Sequence, residues 1–283
     1  MKLPRFDYAA PVTVEDAVAL LASRPGAKAL AGGQSLIPTM AFRLAAPSLL
    51  VDLRKIQGIN QIAIEKESIR LGALARWCDI QKHAALKQAH PLLVAAIEHV
   101  AHYQIRNRGT VGGSLAHADP AAELPGVAVA CDARIVVRGS QGERTVQAKD
   151  FFLGALSTVL ADDELIVELR LPAWPRARRW GFEELSPRRG DFAYAGVAAF
   201  YDAGAGGKAK DVHIGVFGAC QRPHRIAAAE AALEGRVVDA SAIGAACAAA
   251  EQAVDPPHDL HASAAYRRAL VGTLLERALT REA

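Results

Sequence analysis

The chain is poor in the residues that would let it build a metal centre by itself. Its 283 residues include four cysteines, Cys78, Cys131, Cys220 and Cys247, far apart and never in a CxxC pair. That spacing argues against a zinc or iron–sulfur site made by this chain alone, and free thiols in a cytoplasmic protein are the expectation. No uninterrupted apolar stretch reaches membrane-spanning length, so no membrane span is expected. The opening MKLPRFDYAAPV is broken by prolines and lacks the apolar region of a secretory signal. Basic runs are scarce too. The net charge is only +3, and nothing resembles the sustained Lys/Arg run that neutralises a nucleic-acid backbone. The densest basic stretch, residues 176–179, sits beside prolines and reads as a solvated loop. Two nucleotide fingerprints are missing: no GxGxxG follows a strand, and no GxxxxGK[ST] occurs. A Rossmann site or a P-loop is therefore disfavoured.

What is present is an ordinary globular composition, 51% hydrophobic and 22% charged, long enough for one large domain or two modest ones. Thr13 and Asp16 have capping-box spacing ahead of Val14, Val18 and Leu21, which predicts a helix stopped by Pro25 and Gly26. A short strand over 28–31, a helix over 36–44 with Pro38 in its first turn and a strand over 49–53 complete an N-terminal unit. Further on, the patterns predict a strand at 68–73, helices at 77–86 and 92–102, and a glycine turn at 109–113. Asp119 and Pro120 look like an N-cap and first-turn proline for a helix over 121–130. A hairpin turns around 140–142, and residues 164–171 alternate like a half-buried strand. Residues 172–175 mark a boundary. Beyond it come three strand candidates, 180–185, 192–201 and 212–218, and then alanine-rich helices. The expected fold is α+β: a two-part domain over 1–175 (about 1–55 and 56–175), then a small three-stranded antiparallel sheet with covering helices over 176–283.

Two segments stand out. Leu30, Ala31, Gly32, Gly33, Gln34, Ser35 and Leu36 form one; Thr110, Gly112, Gly113 and Ser114 mark the other. Each puts paired glycines beside small hydroxyl residues and leads towards a helix. Paired glycines let backbone N–H groups converge without Cβ obstruction, and such a nest can hold a phosphate. Two of them could grip both phosphates of a dinucleotide. The residues alone equally allow two structural turns.

Residues 31–38 (AGGQSLIP) together with 106–125 (RNRGTVGGSLAHADPAAELP) resemble the FAD-binding medium subunit of the xanthine dehydrogenase and carbon monoxide dehydrogenase family. The likeness extends over nearly the whole chain, including Phe6, Asp7, Tyr8 and Pro11, residues 51–53 and residues 191–193. It implies that both glycine motifs cradle the FAD pyrophosphate. It puts Glu123 near the ribityl chain, with Asp119 either beside it or a plain helix cap. Ile166 would pack near the isoalloxazine, and Tyr194 would approach the ring from the second domain or else pack in the core. Glu183 falls where some relatives carry a lysine near the flavin. An acid there would disfavour an anionic reduced flavin. Ser114 replaces a common asparagine, and Gln34 cannot form a histidyl–flavin bond, so attachment is expected to be non-covalent.

The resemblance further implies a division of labour. A large molybdopterin subunit would hydroxylate the substrate, and a small [2Fe-2S] subunit would carry electrons to FAD. An external acceptor (NAD, a quinone, oxygen or a carrier protein) would then take them. A dimer of heterotrimers is the family arrangement. No catalytic side chain is expected, since flavin carries the redox chemistry. Two alternatives remain open at this level: a self-sufficient flavin oxidase and a flavin-free scaffold. His99 with His102, and His258 with His261, are spaced i, i+3, but no third ligand is evident, so no metal is expected. His117, beside the second motif, would contact either its own loop or the flavin.

Overall fold

The computed structural model describes residues 2–281. Its first turns follow the cap chemistry: Thr13 is extended and its Oγ1 accepts from the Asp16 N–H at 3.1 Å, opening the first helix. The N-terminal unit runs β1 (Asp7–Ala9), α1 (Val14–Ser23), β2 (Ala27–Leu30), α2 (Leu36–Ala41) and β3 (Leu49–Asp52). The three strands pair in parallel in the order β1-β3-β2, with β3 buried along its whole length.

The middle of the chain contributes β4 (Ile62–Ile64), β5 (Ser68–Gly72), α3 (Trp77–Lys82), α4 (Ala84–Ala89), α5 (Pro91–Ile97), α6 (Tyr103–Arg106), α7 (Val111–His117) and α8 (Glu123–Ala130). It continues with β6 (Arg134–Gly139), β7 (Gly142–Gln147), α9 (Ala148–Phe151), β8 (Phe152–Gly154), β9 (Ser157–Thr158) and β10 (Leu165–Pro172). An antiparallel sheet of order β4-β5-β10-β6-β7 lies at its centre, and β8 and β9 form a small ribbon. The expected hairpin is there, Gly139 pairing with Gly142 around Ser140 and Gln141.

Several helix boundaries differ from the sequence expectation, each for a local reason. The helix expected over 77–86 is two, because the His83 Nδ1 accepts from the Leu86 N–H at 3.2 Å and caps a new start. The one expected over 92–102 stops at Ile97; Ala101 adopts a left-handed φ of 43° that no helix accommodates. His99 and His102 therefore do not share a helix face. His258 and His261 lie in the irregular segment between helices. The predicted turn at 109–113 is instead the cap and opening turn of α7, with Thr110 as the cap. The helix over 121–130 starts later, at Glu123, since Asp119 Oδ1 accepts from the Ala121 N–H at 2.9 Å in an Asx turn rather than capping it. Every residue of α8 is buried, the charged Glu123 at its start along with the apolar remainder.

The last part holds β11 (Arg178–Leu185), β12 (Ala195–Ala203), β13 (Ala209–Phe217) and β14 (His224–Arg225), then α10 (Ala227–Leu233), α11 (Ala240–Ala253) and α12 (Ala264–Thr280). The sheet has four strands, not three, in antiparallel order β11-β12-β13-β14; two residues are too few for β14 to leave a periodic signal. Strand β12 is buried on both faces. Val197 and Ala199 face the core under α10–α12, while Ala198 and Phe200 join the central core with Phe182 and Phe217. That central core also contains Leu71, Leu93, Val127 and Leu169, so it spans residue 175.

Candidate functional site

The first glycine motif is the link between β2 and α2. Gly33 has φ 73°, a left-handed conformation that favours glycine. A Cβ on Gly32 would overlap the carbonyl of Arg108, so this residue is glycine because the second motif's backbone lies against it. Gln34 Nε2 donates to the Gly32 carbonyl at 3.0 Å and braces the loop. Ser35 precedes α2 without a side-chain cap bond. Among the described residues, no protein acceptor is assigned to the backbone N–H of Gly32, Gly33, Gln34, Ser35 or Leu36. Such a run of half-buried, unpaired donors between a strand and a helix suits an anion.

The second motif works differently. Val111 N–H donates to the Ala75 carbonyl at 3.0 Å, Gly112 N–H to Ala73 at 2.8 Å, and Ser114 N–H to Thr110 at 3.0 Å. Gly113 N–H donates to Thr110 Oγ1 at 3.1 Å. Its amides are therefore used inside the protein, and its glycines serve close packing. A Cβ on Gly112 would stand 2.7 Å from that of Ala73, and one on Gly113 would stand 3.7 Å from that of Ala31. What this motif can offer a ligand is hydroxyl: Thr110 accepts a bond and keeps its O–H to donate, and half-buried Ser114 lies one turn on. The symmetry that the sequence suggests between the motifs is thus replaced by a division, amides from one and hydroxyls from the other.

His117 ends α7, half-buried. Pro120 accepts on its carbonyl from the Gly218 N–H at 2.7 Å, which ties this region to the end of β13. Glu123, the first residue of α8, is 9% exposed, and burial pushes its carboxyl up to about 7, with the Asp119 charge adding to the effect. Burial, and after it the negative charge of Glu123, push Glu184 up to about 9. The Glu184 Oε2 is buried with no hydrogen-bond partner. The sequence reading missed Glu184, yet a signal existed: it shares its strand face with Phe182, the core-facing side of β11.

Ile166 is buried in the central core beside a bulge in β10. Glu183 accepts from Arg281 at 3.3 Å. Tyr194 lies just before β12, its N–H donating to the Leu185 carbonyl at 2.8 Å, with its ring edge-on to Tyr266. Close approach thus joins the two glycine motifs to each other, while Glu123 feels the charge of Asp119 and Glu184 feels that of Glu123. Arg267, also missed, donates to the Tyr194 carbonyl at 2.7 Å. Its signal was an arginine on the α12 stripe otherwise formed by Leu270, Val271, Leu274, Leu275 and Ala278.

Residues 4–174 match the model of the FAD binding domain in molybdopterin dehydrogenase, and residues 180–281 match that of the CO dehydrogenase flavoprotein C-terminal domain. The chain belongs to this flavoprotein family. It is an FAD-binding medium subunit of the molybdenum hydroxylases. The nicotine 6-hydroxylase medium subunit of Paenarthrobacter nicotinovorans is 39% identical, over 99% of this chain and 98% of that relative. Among solved structures, carbon monoxide dehydrogenase from Hydrogenophaga pseudoflava superposes with a TM-score of 0.95 at 38% identity, covering 99% of this chain and 97% of that one. Quinoline 2-oxidoreductase from Pseudomonas putida 86 gives 0.94 at 35% identity, covering 99% and 97%. The residues fit the cofactor that the family binds: a run of unpaired amides for its phosphates, and hydroxyl-bearing residues in the second motif, which packs against the first. No described helix is long and apolar enough to cross a membrane.

Proposed function

We propose that this chain is the electron-transfer flavin subunit of a heterotrimeric molybdenum hydroxylase, acting between a small [2Fe-2S] subunit and an external acceptor. The substrate is hydroxylated at a molybdopterin centre in a large subunit, and this chain alone does not turn it over. The observation that carries the reading is the run of unpaired N–H groups from Gly32 to Leu36, pinned by the Arg108 backbone. Full-length similarity to a protein called a medium subunit supports the shared assembly.

FAD, when bound, supplies reversible redox chemistry that can accept and release electrons. The protein's own part is to hold and tune it. Gly32, Gly33, Gln34, Ser35 and Leu36 donate amides to the pyrophosphate, flanked by Leu30 and Ala31. Thr110 and Ser114 add hydroxyl donors, and Gly112 and Gly113 let the two loops close. Glu123 accepts from ribityl hydroxyls, with Asp119 and His117 shaping the surrounding turn. Ile166 packs towards the ring system, Glu183 sets charge near it and Tyr194 covers it. Binding is non-covalent. No acid or base is required of the chain. The two family matches support a division near residue 175, and the assembly works in the cytoplasm as a dimer of heterotrimers.

The test is the visible absorption spectrum of the chain purified with whatever accompanies it. Flavin bands released as FAD on acid denaturation, with iron–sulfur absorbance and two further polypeptides, are the expected result. A colourless complete complex would replace this reading with a scaffold role. Substrate turnover by the isolated chain would replace it with a self-sufficient oxidase.

A further inference from the structure

Arg267 is a guanidinium with 5% exposure on the apolar face of α12. A charge placed there must be repaid by well-formed partners. Its Nη2 donates to Asp259 Oδ2 at 2.7 Å. The rest of the planar fork goes to main chain: Nη1 donates to the Tyr194 carbonyl at 2.7 Å and to the Gly218 carbonyl at 3.1 Å. Its Cζ lies 5.5 Å from the centre of the Tyr194 ring. The Nε is buried without an acceptor. A cation kept only to neutralise Asp259 would not need this arrangement. Gly218, in turn, donates its N–H to the Pro120 carbonyl, between Asp119 and Glu123. Arg267 therefore couples the Tyr194 ring and backbone to the segment that follows the second glycine motif.

We infer that Arg267 is a positioning residue for the flavin, fixing the ring of Tyr194 in the place from which it covers the isoalloxazine. The inference rests on the reading that Tyr194 faces the flavin. Lysine keeps the charge at position 267 but cannot bridge two carbonyls and a carboxylate with a flat fork while lying over a ring, so it is not a conservative replacement here.

The experiment compares the flavin in the purified complex of wild type, Arg267→Lys, Arg267→Gln and Tyr194→Leu. It reads FAD content, flavin absorption, flavin fluorescence and midpoint potential, with the thermal midpoint as a check on folding. Tyr194→Leu is expected to retain FAD and to raise fluorescence several-fold by removing a stacked aromatic. Arg267→Lys is expected to give a rise in the same direction and a shift of the flavin bands, with folding preserved. If Tyr194→Leu leaves the spectrum and fluorescence unchanged, Tyr194 does not face the flavin and the underlying reading fails. If Tyr194→Leu changes them and a folded Arg267→Lys does not, the positioning role alone is overturned. Should both arginine variants misfold, Asp259→Asn, which loosens Arg267 while leaving it in place, serves instead: an unaltered flavin signal there overturns the inference.

Discussion

Gly32 and Arg108 meet backbone to backbone: a methyl group on Gly32 would overlap the Arg108 carbonyl. The contact holds the amide-donating loop against the start of the hydroxyl-donating one. Gly32→Ala must push the two apart, at a cost of about 1–3 kcal/mol in stability. FAD affinity is expected to fall at least about tenfold, roughly 1.4 kcal/mol. Gly33→Ala makes a useful comparison, since there the penalty comes chiefly from φ 73° and the Cβ neighbours, at 3.2 Å, are side-chain carbons of Leu30 and Ile37 rather than backbone. Its cost is about 1 kcal/mol. FAD titration and thermal unfolding of both variants measure the effects. Unchanged affinity in Gly32→Ala would mean that the motifs do not form one site.

Thr110 and Ser114 separate stability from binding. Thr110 caps α7, so Thr110→Ala loses about 1 kcal/mol of stability in addition to its O–H donor. Ser114 makes no cap, and Ser114→Ala should alter stability by no more than about 0.5 kcal/mol. Its FAD affinity should still drop by about 1 kcal/mol, the worth of one hydrogen bond. Thr110→Ser should restore most of both properties. Equal affinity in Ser114→Ala and wild type would remove Ser114 from the site.

Glu123 and Glu184 make stability depend on pH in the alkaline direction. Burial raises both carboxyls above their ordinary 4.5, to about 7 and about 9. Between 4.5 and those values the folded chain holds protons that the unfolded chain has released. Stability therefore falls as pH rises through this window and levels off above about 9. Glu184→Gln removes the group that burial and the Glu123 charge raise furthest. Its thermal midpoint should decline less than that of wild type between neutral and alkaline pH. Parallel profiles for the two proteins would show that Glu184 is already ionised near neutrality.

Much of this was legible in the residues, but unevenly. The Thr13 cap, the hairpin at Ser140 and Gln141 and the strand around Ile166 follow from local spacing, and each formed near its expected place. The helix ends did not, because His83 and Asp119 use side-chain bonds to neighbouring amides that periodicity does not register. The glycine motifs could be found by composition. Their unlike roles could not, since whether an amide is free depends on Ala73 and Ala75, which lie more than thirty residues earlier in the chain. Glu184 and Arg267 show the remaining gap. A charge on an apolar face can be noticed in sequence, but its partner is fixed only when β11, β12 and α12 come together.

The proposed place of Glu183 near the flavin gives a sharp test of its own. It accepts from Arg281 at 3.3 Å, and that arginine side chain is 55% exposed. The pair is therefore worth only about 0–1 kcal/mol, and Glu183→Lys should fold nearly as stably as wild type, with Arg281 turning into solvent. Its effect on the cofactor should be larger. Reduction adds negative charge to the flavin, which a carboxylate opposes and an ammonium favours. The midpoint potential is expected to rise by on the order of tens of millivolts in Glu183→Lys and by a smaller step in Glu183→Gln. Spectroelectrochemical titration of the two variants at low and high salt gives the answer. Graded shifts that shrink with salt would establish a through-space charge effect. Potentials equal to wild type in both would leave Glu183 as the partner of Arg281 and nothing more, and the choice of electron acceptor would then have to be set elsewhere in the site.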